Sequence, residues 1–211
     1  TDDLSEVVSD VEVVIDFTVA KVTAKNLEVC SQTKTAMVVA TTGLSKAEES
    51  RLMEIGQKLP IVFASNYSIG MNATFRLVSE AARIFGGDVD IEIVESHHRY
   101  KVDAPSGTAI TLGRHVAEAL GRDLDEVGVH GRHGQTGARD GSTIGFHAIR
   151  GGEIVGEHTV MFISPGEQLE ITHRAHSRAN FAEGAIRAAA WLVSREPGVY
   201  DMQDVLGLAK N

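Results

Sequence analysis

Thr35-Ala-Met-Val-Val-Ala40 decides the architecture of this chain: a short, uninterrupted apolar run bounded by polar residues. Two similar runs flank it, Val11-Glu-Val-Val-Ile-Asp-Phe17 and Pro60-Ile-Val-Phe-Ala64, and helical patterns over Lys21 to Gln32 and Ser45 to Lys58 separate the three. Strands that are apolar almost throughout and alternate with amphipathic helices predict a parallel sheet covered on both faces, half of a doubly wound α/β domain. Ligands of such sheets bind beyond the carboxyl ends of the strands. Those ends are Asp16-Phe17-Thr18, Ala40-Thr41-Thr42-Gly43 and Ala64-Ser65-Asn66-Tyr67.

From Ser68 onward the pattern changes. A helix is expected over Asn72 to Phe85, stopped by Gly86-Gly87, then a strand over Asp90 to Glu95. A polar loop over 96–105 leads to a helix opened by Ser106 and reaching Leu120. After a glycine-rich loop from Gly128 to Gly141 come three strand-like runs, Thr143 to Arg150, Glu153 to Ser164 and Gln168 to His176. Gly151-Gly152 and Pro165-Gly166-Glu167 at their joints predict an antiparallel meander in an open mixed sheet. Helical patterns over Phe181 to Ser194 and Asp201 to Leu208 are read as returning to the first domain. The division predicted is thus 1–67 with 179–211, and 68–178.

The 211 residues are 43% hydrophobic and 23% charged, enough apolar mass for one large or two small cores. A formal net charge of −9 argues against nucleic acid or an anionic membrane as a general partner. No window approaches the roughly 18 apolar residues of a membrane span, and the acidic start Thr1-Asp-Asp-Leu4 lacks the features of a signal peptide. With Cys30 as the single cysteine no intrachain disulfide can form, and a reducing, cytoplasmic setting is expected. Cys30 itself reads as a small buried apolar residue.

Within this acidic chain, His97, His98, Arg99 and Lys101 gather four groups that are cationic or can become so. Pro105-Ser106-Gly107-Thr108 then opens a helix, with Ser106 as its cap and Gly107 and Thr108 offering main-chain N–H groups. Two anion-binding elements so close together point to a ligand with two negative groups. Histidine, and lysine among other cations, can move protons near neutral pH. Glu95 either orients one of these groups or is a strand-end carboxylate in water. His130 and His133 form an H-x-x-H pair without the further ligands a zinc site needs, so no metal is expected. His147, His158, His173 and His176 fall on strands and read as structural, with one available to the loop at a strand end. Ser106 lacks the G-x-S-x-G setting of a hydrolase nucleophile.

The run Glu92-Ile-Val-Glu-Ser-His-His-Arg-Tyr-Lys-Val-Asp-Ala-Pro-Ser-Gly-Thr-Ala109 resembles the signature of the dihydrodipicolinate reductases, which supply diaminopimelate and lysine synthesis. Val14-Ile-Asp-Phe-Thr18, Ala40-Thr-Thr-Gly43, Asn66-Tyr-Ser-Ile-Gly-Met-Asn72, Gly152-Glu-Ile-Val-Gly-Glu-His158 and Glu170-Ile-Thr-His173 resemble the family in the same order. The resemblance implies that His97 is a proton donor and acceptor and Lys101 a second donor. It implies that His98, Gly107 and Thr108, with Thr42, meet the substrate. NADH or NADPH would be met by Ala40, Thr41, Thr42, Ala64, Ser65, Asn66 and Tyr67, with Phe17 and Thr18 lining the same crevice. It further implies a Rossmann-like cofactor domain and a homotetramer built on the middle sheet. Ala40 stands where members typically carry glycine. No G-x-G-x-x-G turn occurs, so a preceding segment is expected to be missing, and a family-like oligomer that binds a dicarboxylate without holding cofactor is the alternative reading.

Overall fold

The computed structural model describes residues 1 and 3–208; Asp2 of the acidic start and residues 209–211 of the returning segment lie outside the described residues. The chain divides into two compact units, Thr1–Ile69 with Ala179–Asn211, and Gly70–Arg178.

In the first unit, β1 (Val13–Asp16), β2 (Ala36–Val39), β3 (Pro60–Phe63) and β9 (Gly198–Tyr200) form a parallel sheet in the order β1-β2-β3-β9. Every residue of β2 is buried, as its unbroken apolar sequence requires of an inner strand covered on both sides. Helices α1 (Ala20–Thr33) and α2 (Lys46–Gly56) bring Leu27, Cys30, Leu52 and Ile55 to one cluster with Met37, Val39 and Ile61. On α6 (Ala179–Leu192), Ala185, Ala188 and Leu192 pack into a second cluster with Val38, Val62, Met202 and Val205. Ser45 caps α2 in a reciprocal box with Glu48, the arrangement its S-x-x-E sequence encodes. Gly184 permits the close approach of α6, because a Cβ there would strike the Tyr67 carbonyl. Burial pushes the Cys30 thiol up to about 11, with the Asp16 carboxylate adding to the effect, so the group is inert. The closing helix α7 (Met202–Val205) is shorter than the expected Asp201 to Leu208.

The second unit carries a mixed five-stranded sheet with α3 (Ile69–Phe85), α4 (Gly107–Ala119) and the single turn α5 (Leu124–Val127). Its strands are β4 (Asp90–His97), β5 (Gly128–His130), β6 (Ile144–Arg150), β7 (Gly156–Ile163) and β8 (Gln168–Ala175). The order is β5-β6-β4-β7-β8, which corrects the predicted meander. β6 pairs with β4 in parallel and β4 with β7 antiparallel, so β4 lies between the two strands that Gly151-Gly152 connects. That connection wraps the end of β4: Gly151 N–H donates to His97 O at 3.0 Å and Arg99 N–H to Gly152 O at 3.2 Å. Gly152, with φ +50, takes a conformation that favours glycine. Pro165-Gly166 does join paired antiparallel strands, β7 and β8. The predicted loop from Gly128 is also corrected, since its first three residues form the edge strand β5 beside β6.

Burial alternates strictly along β4: Ile91, Ile93, Glu95 and His97 are buried, and Glu92, Val94 and Ser96 half-buried. Ile91 and Ile93 of the buried row join Val78, Leu112, Val116, Phe146, Val160 and Phe162 in the core with α3 and α4. Gly113 lets α4 lie against Phe146, whose ring a Cβ would strike.

Candidate active site

The core row of β4 turns polar at its end. Glu95 is 1% exposed and accepts four hydrogen bonds. Arg150 donates from Nη1 to Oε2 and from Nη2 to Oε1, both at 2.7 Å, Ser106 N–H donates to Oε1 at 3.1 Å, and His97 Nδ1 lies 2.5 Å from Oε2. Burial opposes the charge, but the bonds from Arg150 and His97 hold the Glu95 carboxyl below the usual carboxylate range. Register explains the gathering: His97 lies opposite Arg150 on one side, and Glu95 opposite His158 on the other.

His97 is drawn down by burial, which outweighs the opposing pull of Glu95; Lys101 and Arg150 add to the lowering. Gly156 gives its ring room, since a Cβ there would come within 3.1 Å of Nε2. His158 meets His97 edge-on, ring centroids 5.1 Å apart, and burial holds it far below the ordinary histidine value, at about 3. It is therefore a neutral ring, and its Nε2 sits 3.0 Å from Ser106 Oγ.

Ser106 caps α4 as its sequence predicts, its hydroxyl accepting from Ala109 N–H. The Ser106–His158 pair has the spacing of a nucleophile and base, but Ser106 is 2% exposed, and among the described residues the buried His158 Nδ1 has no hydrogen-bond partner to orient the ring. Acyl-transfer chemistry finds no support there. Gly107 opens the helix with clear space above it, and Thr108 follows, half-buried. His98 is half-buried, and its Nδ1 is enclosed without a hydrogen-bond partner among the described residues. Lys101 pairs with Asp103 at 2.8 Å, and Asp103 O accepts from Arg150 Nη2 at 2.7 Å, tying the loop to Glu95.

In the first unit, Asp16 organises the strand ends. It is 2% exposed and accepts from Thr18 N–H and Oγ1 at 2.7 and 2.6 Å, from Asn26 Nδ2 at 3.1 Å and from Thr41 Oγ1 at 3.3 Å. Thr18 and Thr41 thus point their hydroxyls inward. Tyr67 is buried and bonds the carbonyls of Val39 and Val62 at 2.9 and 3.0 Å, so its phenol is structural and raised by burial well above its ordinary value. Phe17 is 52% exposed, its ring 6.0 Å from that of Tyr67. Thr42 and Ser65 are exposed, and Ala40, Ala64 and Asn66 are half-exposed at the carboxyl ends of β2 and β3.

Asp16 and Arg150 were not among the residues singled out from sequence. Asp16 stands in the sequence reading only as a strand end and within the family-like run Val14-Ile-Asp-Phe-Thr18, and Arg150 only as the end of a strand-like run. Of the H-x-x-H pair, His130 stacks on Phe146 with centroids 5.2 Å apart. Among the described residues no group of three or more His, Cys, Asp or Glu could hold a metal ion, and no helix is long and apolar enough to cross a membrane.

Residues 1–67 match the family described as dihydrodipicolinate reductase, N-terminus, and residues 70–206 the one described as dihydrodipicolinate reductase, C-terminus. The 4-hydroxy-tetrahydrodipicolinate reductase of Pseudomonas fluorescens is 56% identical over 208 residues, 99% of this chain and 78% of the relative. That of Acinetobacter baumannii is 55% identical over 205 residues, 97% of this chain and 75% of the relative. Among solved structures, a dipicolinate-bound dihydrodipicolinate reductase from Paenisporosarcina sp. TG-14 shares the fold at a TM-score of 0.75 and 23% identity, covering 96% of this chain and 77% of its own. A probable dehydrogenase from Thermotoga maritima follows at 0.59 and 11%, over 97% of this chain and 77% of its own. Family matches over both parts of the chain, together with relatives more than half identical along almost its whole length, place it plainly: the chain is a member of the dihydrodipicolinate reductase family.

Proposed function

We propose that this chain carries out the NAD(P)H-dependent reduction of the dihydrodipicolinate (4-hydroxy-tetrahydrodipicolinate) ring to tetrahydrodipicolinate, a step of diaminopimelate and lysine synthesis. The observation that carries the reading is the end of β4, where a buried carboxylate–histidine pair stands with Lys101 ahead of the helix start at Gly107 and Thr108. A ring bearing two carboxylates needs both kinds of group: fixed donors for its charge and a proton source for the carbon that is reduced.

In this reading Gly70–Arg178 is the substrate and oligomerisation unit. Gly107 N–H and the Thr108 hydroxyl bind one carboxylate at the positive end of α4. His98 contributes its Nδ1, unpartnered among the described residues, to the same ligand. His97 exchanges a proton through Nε2, and Lys101 supplies a second one.

The first unit is the cofactor unit. Its strand ends fit the nicotinamide half: the exposed Phe17 ring and the small side chains of Ala40 and Ala64 suit a flat ring, and Thr42, Ser65 and Asn66 suit its carboxamide. NADH or NADPH, when bound, supplies the hydride. Asp16 keeps Thr18 and Thr41 in fixed orientation around that surface, and Tyr67 acts through its backbone, its hydroxyl being committed to β2 and β3.

The face of β4, β6 and β7 turned away from the helices carries Val94, Ile149 and Met161 partly exposed, which supports association of copies of the chain through this sheet; the assembly in this reading is a homotetramer, and the chains are cytoplasmic. The test is substrate-dependent NADPH consumption by the purified chain. Consumption matched by tetrahydrodipicolinate formation is expected; binding of dipicolinate without any turnover would favour the alternative of a dicarboxylate-binding oligomer.

A further inference from the structure

Glu95 does more than fill the end of the core. Both its oxygens accept from Arg150, and Oε1 accepts in addition from Ser106 N–H. A carboxylate so saturated by donors holds no proton, so the hydrogen between Oε2 and His97 Nδ1 belongs to the imidazole. Nε2 is then the remaining nitrogen, and it faces Gly156, where only the absence of a Cβ keeps space beside it. Resting on the reading of His97 as the proton donor, we propose that Glu95 is a positioning residue that fixes His97 in the Nδ1–H tautomer and aims Nε2 at the substrate, with Arg150 holding Glu95 in place. The pairing follows a general rule: a carboxylate on one ring nitrogen sets which nitrogen does the chemistry.

The groups that face His97 are Glu95 on its own strand, Arg150 from β6, His158 from β7 and Lys101 from the following loop, with Asp103 beyond Lys101. Glu95 favours the protonated ring; Lys101 and Arg150 disfavour it. Opposite consequences follow for the two ends of the Arg150–Glu95–His97 chain. In Glu95→Gln the midpoint of His97 falls and the ring loses its Nδ1–H preference. In Arg150→Met the cation is removed while the carboxylate stays, and the midpoint rises.

Imidazole ¹⁵N NMR titration of the ligand-free protein reads both quantities without any need for turnover, so a failure of reductase activity would leave this test intact. Expected are an Nδ1–H tautomer in the parent, a lower His97 midpoint in Glu95→Gln and a higher one in Arg150→Met. An unchanged tautomer in Glu95→Gln, or midpoints that move in the same direction in both variants, would overturn the proposal. Should Glu95→Gln fail to fold, an unmoved midpoint in Arg150→Met overturns it alone. In the active enzyme Glu95→Gln should lower kcat by about 10- to 100-fold with KM changed less than about threefold, and the loss of rate with rising pH should begin at lower pH. A change confined to KM would contradict it.

Discussion

Glu92 and Glu95 stand three residues apart on β4, face opposite sides of its sheet, and are each bound by arginine and histidine. Glu92 takes Arg132 at 2.9 and 3.0 Å, Arg139 at 3.0 Å and His147 at 2.9 Å. Burial opposes its charge, but these three partners hold it down to about 2. Arg132 and Arg139 come from the two ends of the glycine-rich segment after β5, so Glu92 pins that segment to the sheet. His147 reaches it through Nε2, and its side chain is 38% exposed. Glu95 instead takes His97 through Nδ1, in a ring only 11% exposed, and its arginine is tied on to the Asp103 carbonyl of the loop that carries Lys101. The same three residue types thus make a clamp on one face and a candidate proton-transfer site on the other. What separates them is which ring nitrogen the carboxylate leaves over, how deeply the ring is buried, and the helix start and lysine that the strand end brings near in sequence.

Five substitutions would sharpen or break that contrast. The largest effect is expected at the Glu95 face: His97→Gln and Lys101→Ala should each lower kcat by about 100-fold or more, with cofactor affinity held within about twofold, as steady-state kinetics would read. Next comes Glu92→Gln, which leaves two arginines short of their carboxylate and should cost about 2 kcal/mol in denaturant unfolding while kcat stays within about threefold. Because Glu92 titrates at about 2 in the folded chain against an ordinary 4.5, its contribution is complete above pH 4.5 and is lost as pH falls toward 2. Melting temperature should therefore decline less steeply over that window in Glu92→Gln than in the parent. A smaller effect is expected for Gly145→Ala, whose Cβ would strike the Glu92 carboxylate from β6; about 1 kcal/mol of lost stability is expected, unchanged if Glu92 is already Gln. His147→Gln should do least, under about 1 kcal/mol, since that contact is more than a third exposed.

Much of this was legible in the sequence, for reasons that are local. Apolar runs such as Ala36–Val39, alternating with amphipathic helices, read as inner parallel strands, and Ser106 and Ser45 announce helix starts by their own chemistry. The loop from His97 to Thr108 stood out because its cations are contiguous. Pairing over distance was not legible. Nothing near Gly151-Gly152 tells that the strand ending at His97 lies between the two it joins, and β5 and β9 are three residues long, too short to show a period. Arg150 and Glu95 meet across 55 positions, and Asp16 and Thr41 across 25, so their partnerships exist only once the sheets have formed. Glu92 lay inside the segment that resembles the family signature, yet its role depends on two arginines from a loop that sequence marks only as glycine-rich.

The central claim is that the two carboxylate–histidine pairs of β4 have different work, and it is tested most directly by measuring kcat for His97→Gln and His147→Gln side by side in NADPH-dependent reduction of the dihydrodipicolinate ring. A loss of about 100-fold or more for His97→Gln, with His147→Gln within about threefold of the parent, is the predicted result. Equal losses in the two variants, or the larger loss in His147→Gln, would contradict it.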